Sequence, residues 1–213
     1  MIGRCYPPME LSNHDSVAVL RFPSTAGYPR LTRAVLHDLD ELLEEVKCAG
    51  LFTGVVIASN PKSFAVGADV EEIKAVEGVG ARQFAELGQS TCRRIEDFPF
   101  PVVAAIRGYC LGGGLDLAVA CHGRVATYDA SFGHPGVALG LITGWGGTQR
   151  LPRLVGKSSA LQMLLTGDRI PATQALTMGL VDELVSSRDL VSAAAKRAQA
   201  LRVVHPARAT LRR

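Results

Sequence analysis

No CxxC pair occurs in this chain of 213 residues, and its five cysteines, Cys5, Cys48, Cys92, Cys110 and Cys121, form an odd set. That pattern argues against a disulfide framework and for reduced thiols in a cytosolic compartment. No apolar run approaches the length of a membrane span, and the amino terminus lacks a charged-then-apolar signal pattern. The expected location is therefore cytoplasmic, with no membrane partner. The net charge is only +3, which argues weakly against a dedicated nucleic-acid binder and leaves room for local recognition of an anion. His122, in Cys121-His122-Gly123, has no further ligands at metal-binding spacing, so no metal site is expected. No repeat and no low-complexity segment is visible.

What is present is a soluble balance, nearly half apolar and a fifth charged, sufficient for one domain with a substantial core. The chain is organised around Gly108-Tyr109-Cys110-Leu111-Gly112-Gly113-Gly114-Leu115-Asp116-Leu117. A buried strand, Pro101 to Ile106, precedes it, and Leu115 to Cys121 reads as two helical turns. Three glycines at a strand-to-helix junction open backbone conformations closed to other residues and leave no side chain in the way. The first N–H groups of a helix lack internal partners and carry the positive end of its dipole, a good seat for a developing negative oxygen. Asp116 stands in the first turn beside it. Such glycines also serve simply to let a helix pack closely, and a first-turn Asp can merely complement the dipole. The triplet is neither a G-x-G-x-x-G fingerprint nor a P-loop, since no Gly-Lys-Ser/Thr follows.

A second corner lies at Lys62 to Val70. Asp69 is an N-cap candidate with Glu72 as its capping-box partner. Gly67 and Ala68 leave the Ala68 N–H approachable, so it can face the N–H near Gly113, and two amides on one point make an oxyanion hole. Elsewhere the pattern predicts strands over Val17–Phe22, Gly54–Ser59, Arg124–Thr127, Ala130–Phe132 and Leu180–Val185. Helices are expected from Thr32 to about Lys47, from about Val70, and over Ala81–Asp97, Gln149–Val155, Ser158–Leu165, Ala172–Met178 and Asp189 to about Val203. Residues 1–15 read as a loose lead-in, 133–136 as a turn, and Gly144 to Thr148 as a flexible loop.

Five ordered segments carry a family resemblance: S-F-A-V-G-A-D-V (Ser63 to Val70), P-V-V-A-A-I-R-G-Y-C-L-G-G-G-L-D-L-A (Pro101 to Ala118), G-L-I-T-G-W-G-G-T-Q-R-L-P-R-L-V-G (Gly140 to Gly156), L-T-G-D-R-I (Leu165 to Ile170) and A-L-T-M-G-L-V-D (Ala175 to Asp182). Together they resemble the crotonase, or enoyl-CoA hydratase/isomerase, family. The resemblance implies an α/β fold, a spiral of ββα turns over residues 16–186 followed by a helical tail, 187–213, shorter than usual. It implies an acyl-CoA thioester as partner, no cofactor beyond the coenzyme A of the substrate, and a homotrimer or hexamer. The thioester oxygen would be held by the amides of Ala68 and Gly113, with Asp116 as the catalytic carboxylate. Ala65, Val66, Gly67, Gly112, Gly136 and Trp145 fall at substrate-binding positions, as does Asp69. Arg30, in Tyr28-Pro29-Arg30-Leu31, and Lys62 are candidates for the nucleotide phosphates, with solvated surface charge the alternative.

The departures matter as much. Hydratases of the family carry glutamates at the positions of Asp116 and Gly136; here one is shortened and the other absent. A positioned acid or base contributes roughly 10²–10⁴ in rate. Dienoyl-CoA isomerases of the family also have Asp at the first position, but Gly136 and Gly144 occupy the positions of their other acids. His134 and Tyr109 are candidates to replace the missing group or hold a water, although packing and hydrogen bonding would also account for both. His134 and Gly136 would share a side if this stretch is extended. Enoyl-CoA hydration or isomerisation leads, with a non-catalytic acyl-CoA binder or an acyl-CoA decarboxylase as alternatives.

Overall fold

Buried strand residues of this chain alternate between two apolar surfaces, and that alternation creates the architecture. The computed structural model describes residues 7–23, 27–69, 71–72 and 78–203. Among these, strands β1 (Glu10–His14), β2 (Val17–Arg21), β3 (Gly54–Ala58), β4 (Val102–Ile106), β6 (Gly123–Thr127) and β9 (Glu183–Val185) form one sheet in the order β1-β2-β3-β4-β6-β9. All its pairs are parallel except β1 with β2. Strands β5 (Tyr109–Leu111), β7 (Ser131–Gly133) and β8 (Ile170–Pro171) form a second, smaller sheet.

Period-two side-chain alternation sends Ala18, Leu20, Val55, Ile57, Val102, Ala104 and Ile106 to one face of the large sheet, into the main core. Helix α1 (Arg33–Ala49) covers that core with Val35, Leu36, Leu39, Leu43 and Val46, and α2 (Val79–Glu96) adds Phe84, Thr91, Cys92 and Ile95. The opposite face, Val17, Val19, Val56, Ala58, Val103, Ala105 and Val125, meets the last helix of the fold (Leu190–Ala200) through Leu190, Ala194, Ala195 and Ala198. Both faces of the parallel strands are thus covered, which explains their continuous apolar runs.

The ββα turn recurs. Strands β4 and β5 lead into α3 (Gly113–Ala120); β6 and β7 lead through a 3₁₀ turn (Pro135–Leu139) into α4 (Gly147–Val155). Strand β3 is followed by a shorter version, in which Ala65 makes a single parallel bridge to Cys110. Helices α5 (Lys157–Thr166) and α6 (Ala172–Thr177) complete the layer, and the helix over 190–200 is α7. No sequence repeat accompanies this structural one.

Most predicted elements are present, with instructive differences. Thr32 caps α1 by accepting from the Val35 N–H at 3.2 Å, and Gly50 ends it in the left-handed region. Residues 10–14 are not a loose lead-in but an exposed edge strand, its hairpin closed by Asp15 at φ 54°. Its side chains are mostly polar or exposed, so no burial pattern marks it. The expected turn at 133–136 is the end of β7 and the start of the 3₁₀ turn, so His134 and Gly136 are not related by strand alternation. The helix expected from Val70 falls largely outside the described residues. Cys92, Cys110 and Cys121 are buried free thiols and Cys48 an exposed one; burial pushes the Cys121 thiol up to about 12. Cys5 lies outside the described residues.

One buried cation ties α3 down at its far end. Arg124 Nη1 donates to Cys121 O at 2.8 Å and Nε to Leu180 O at 2.7 Å, while its main-chain N–H donates to Asp182 Oδ2 at 2.7 Å. Arg124→Met keeps the volume but strands the buried Cys121 and Leu180 carbonyls, while Asp182 retains the main-chain N–H at 124 and the Arg197 guanidinium. We expect it to lower unfolding stability by about 3 kcal/mol in urea titration; an unchanged midpoint would contradict this anchoring role.

Candidate active site

The amino end of α3 meets the loop after β3 without any side chain between them. The loop is stitched to β5: Ala65 N–H donates to Tyr109 O at 3.1 Å, and Leu111 N–H to Ala65 O at 2.9 Å. A methyl group on Gly114 would stand 2.6 Å from Ala65 O, and one on Gly67 would stand 3.7 Å from the Gly113 nitrogen. Gly67 has φ 104° and Gly112 φ 52°, backbone conformations that favour glycine. Gly112 N–H is taken by Gly133 O at 2.9 Å. Among the described residues, neither the Ala68 nor the Gly113 N–H donates to another main-chain group.

These two corners open on a cavity of about 370 Å³. Val66, Gly67, Ala68, Gly112, Gly113, Asp116, His134, Gly136 and Trp145 all line it, as expected of that set. Ala81, Phe84, Ala85, Leu139, Leu141 and Ile142 make the rest of the wall apolar, and Thr143 and Gly144 complete it. Trp145 is a wall residue: its ring packs edge-to-face on Phe84, with centroids 5.5 Å apart. Gly88 and Gly113 lie directly against that ring, leaving no room for a Cβ at either.

Asp116 is 1% exposed. Its Oδ2 accepts from Thr143 Oγ1 and from the Trp145 N–H at 3.2 Å. Arg150 clamps that loop by donating from Nη1 to Trp145 O at 3.0 Å while Nη2 pairs with Glu96 at 2.8 Å. Among the described residues, Oδ1 has no hydrogen-bond partner, and neither has either ring nitrogen of His134. His134 Nε2 lies 3.8 Å from Oδ1. Burial raises the Asp116 carboxyl from its ordinary 3.8 to about 6, against the lowering effect of the Thr143 and Trp145 hydrogen bonds. Burial lowers the imidazole from 6.5 to about 4. Asp116 is thus charged only above about 6 and His134 only below about 4, so the pair is not an ion pair at any pH. A buried carboxylate with a pKa near neutrality is suited to take and return a proton.

Other expected positions lie elsewhere. Asp69 is a helix cap, accepting from the Glu71 N–H at 2.9 Å, with Arg30 at 3.4 Å. Glu72, three residues on, gives its main-chain N–H to the same carboxylate, while its Oε2 accepts from the Arg33 N–H at 3.1 Å, at the start of α1. Ala65 is fully buried in the bridge to Cys110 and does not line the cavity. Tyr109 is also outside the lining, with its ring edge-to-face on Tyr28 and the Arg169 guanidinium 4.9 Å above it. Lys62 is in the turn held by Asn60, which accepts the Lys62 N–H at 2.8 Å. Arg30 and Lys62 therefore stand off the cavity wall. His122 is structural: its Nδ1 accepts the Val102 N–H at 2.9 Å.

Three functional neighbours escaped the sequence reading: Thr143, the Trp145 main-chain N–H, and Gly147. Their only signal was membership of the matched segment Gly140 to Gly156.

A ββα spiral whose cavity opens at a glycine-rich helix start places this molecule in the crotonase fold class. The enoyl-CoA hydratase from Bacillus anthracis superposes with a TM-score of 0.85 at 32% identity, covering 91% of this chain and 76% of that one. DspI of Pseudomonas aeruginosa superposes with a TM-score of 0.84 at 31% identity, covering 92% and 76%. The family described as enoyl-CoA hydratase/isomerase matches residues 12–211, and the chain belongs to that family. It is 46% identical over 195 residues to the fatty acid oxidation complex subunit alpha of Shewanella halifaxensis (strain HAW-EB4), covering 87% of this chain but 27% of that protein. The chain thus spans about a quarter of that relative's length. Among the described residues, no helix is long and apolar enough to cross a membrane.

Gly147 begins α4 with its Cα against Asp116, and a Cβ there would overlap Oδ1. Gly147→Ala is expected to cost about 1–3 kcal/mol by overpacking. In an Asp116→Ala background the cost should largely vanish, a coupling of about 1–3 kcal/mol in a guanidinium double-mutant cycle. Additive effects would contradict the contact.

Proposed function

We propose that this protein processes an acyl-CoA thioester, holding the enolate oxygen between the Ala68 and Gly113 amides while Asp116 moves the proton. The observation that carries this reading is the placement of one buried carboxylate, with one oxygen unpartnered, beside two approachable N–H groups in an apolar cavity. The fatty acid oxidation and enoyl-CoA hydratase names of its relatives support the same substrate class.

The chemistry follows from charge. As a proton leaves the α- or γ-carbon, or water adds to the β-carbon of a 2-enoyl thioester, negative charge gathers on the carbonyl oxygen. Each fixed donor aimed at that oxygen contributes about 3 kcal/mol to the transition state. The apolar wall of Phe84, Leu141, Ile142 and Trp145 is suited to an acyl chain and lowers the local dielectric. Hydration of a 2-enoyl-CoA is the leading reaction. Isomerisation is the second reading, favoured by the single carboxylate, because one base suffices to carry a proton between carbons. Coenzyme A enters as part of the substrate, and the homotrimer or hexamer usual in the family belongs to the same proposal.

With crotonyl-CoA, loss of the enoyl absorbance should be seen for the native chain and fall about 10²–10⁴-fold in Asp116→Asn. Because the carboxylate is the active form, kcat/KM should fall as pH drops through about 6. Thr143→Val removes a hydrogen bond that favours the charged form, so that acid limb should move to higher pH. Binding without turnover, unaltered in Asp116→Asn, would replace the enzyme with a binder, and carbon dioxide release from methylmalonyl-CoA would point to a decarboxylase.

Gly136 offers a complementary test. A Cβ there meets only Leu141 at 3.6 Å, ordinary contact, and its φ is not positive. Gly136→Glu should therefore fold normally and place a second carboxylate at the cavity wall. Like charge disfavours ionisation of Asp116, so the acid limb should move upward in a pH–rate profile; a downward shift would contradict the geometry.

A further inference from the structure

Two buried polar groups at one end of the cavity have unmet hydrogen-bonding capacity among the described residues, and they stand close enough for one oxygen atom beside them to reach both. Among the described residues, Asp116 Oδ1 and both His134 ring nitrogens lack partners, although the side chains are only 1% and 5% exposed. Orphaned polar atoms at such burial are costly unless something occupies the space between them. Their separation, 3.8 Å from Oδ1 to Nε2, is too long for a hydrogen bond. A single water about 2.8 Å from each satisfies both. Both groups line the cavity that also contains Gly113 and Ala68.

We propose that His134 seats the water that adds to the substrate's β-carbon, and so supplies from β7's end what Gly136 lacks. The proposal rests on the acyl-CoA reading above. An N–H facing a carboxylate is the favoured tautomer, so Nε2–H donates to the water oxygen and the water donates to Asp116 Oδ1. As the oxygen bonds to the β-carbon, Asp116 takes that water proton and the Cα=Cβ electron pair shifts into the thioester enolate. Asp116 then returns the same proton to the α-carbon, leaving a 3-hydroxyacyl thioester and a carboxylate ready for the next cycle. The imidazole remains neutral and gains no proton; it fixes where the oxygen stands. This role separates two reactions that share Asp116. Exchange of α-hydrogens of butyryl-CoA with D₂O needs the carboxylate, the amides and a solvent deuteron replacing the proton on Asp116, but no water held against the β-carbon. Hydration of crotonyl-CoA needs the carboxylate, the amides and that water.

His134→Leu is therefore expected to reduce hydration about 10²-fold, the cost of losing position at a reacting atom, and to lower the ratio of hydration to α-deuterium exchange, read by mass spectrometry, at least about 10-fold. His134→Gln, which restores a neutral N–H donor, should recover at least a tenth of the native hydration rate. Native hydration in His134→Leu would overturn the proposal. Equal loss of exchange and hydration would also overturn it, by making His134 a structural partner of Asp116. A native chain that exchanges without hydrating refutes the seated water alone, and one that does neither refutes the acyl-CoA reading itself.

Discussion

The absence of side chains at Gly67, Gly112 and Gly114 is the constraint on which the rest of the site depends. Main chain can approach main chain at the Ala65–Gly114 contact only because no Cβ intervenes, a methyl there falling 2.6 Å from a carbonyl oxygen. The approach has a chemical consequence. It leaves the first N–H groups of α3 and the Ala68 N–H around one cavity, instead of burying them against neighbouring residues. It also has a mechanical one, since the hydrogen bonds of Ala65 and Gly112 to β5 and β7 lock both corners to the small sheet. Preorganised donors lose nothing to reorganisation when charge develops, and two stitched corners are a physical route to that condition.

Rigidity comes from the remainder of the spiral. The large sheet holds the carboxyl ends of β3 and β4 side by side, from which both corners grow. Arg124 fixes the opposite end of α3 to the segment before β9 through Cys121 and Leu180. Trp145 closes the remaining side: its ring fills the space that Gly88 and Gly113 vacate, while its main-chain N–H holds Asp116. One residue thereby builds a wall and orients the carboxylate, which explains why two distant glycines face the same ring.

Much of this was legible beforehand because it follows from local chemistry. Apolar runs bounded by Pro and Gly identified β2, β3, β4 and β6, and the spacing of Val35, Leu36, Leu39, Leu43 and Val46 identified α1. The glycine triplet pointed to the site because few structural needs demand three in a row. What escaped notice was written in tertiary geometry. Strand β1 carries no burial pattern, since it stands at a sheet edge with exposed side chains. Strand β5 hides within the glycine stretch as three residues. Glu72 stands at a capping-box spacing, but nothing in that spacing foretold that its carboxylate would take α1's first N–H. Thr143 and Gly147 are recognisable only once α4's amino end is seen against Asp116.

Electrostatics set the working range of the polar end, and the signs oppose one another. Asp116 is raised from 3.8 to about 6. Its contribution to folding stability is therefore full below its unfolded value and is lost as pH rises through about 6, where the buried carboxylate becomes charged. His134 is lowered from 6.5 to about 4. Its contribution is full above 6.5 and is lost as pH falls through about 4, where the buried imidazole must charge. Between about 4 and 6 both groups are neutral, and the fold carries no charge at that point. In the role proposed for Asp116 a base has to be ionised to act, which sets the proposed reaction above about 6, where burying Asp116 is most costly. The neutral imidazole lessens that cost only slightly, offering a dipole and not a counter-charge, and Arg150 is the one cation that lowers the carboxyl, after the Thr143 and Trp145 hydrogen bonds. A full counter-charge at His134 would have stabilised the fold near neutrality, but it would also have pulled the Asp116 pKa down and made the carboxylate a weaker base. Under the proposed role the arrangement favours proton transfer over stability, the direction a catalytic site takes when the two compete.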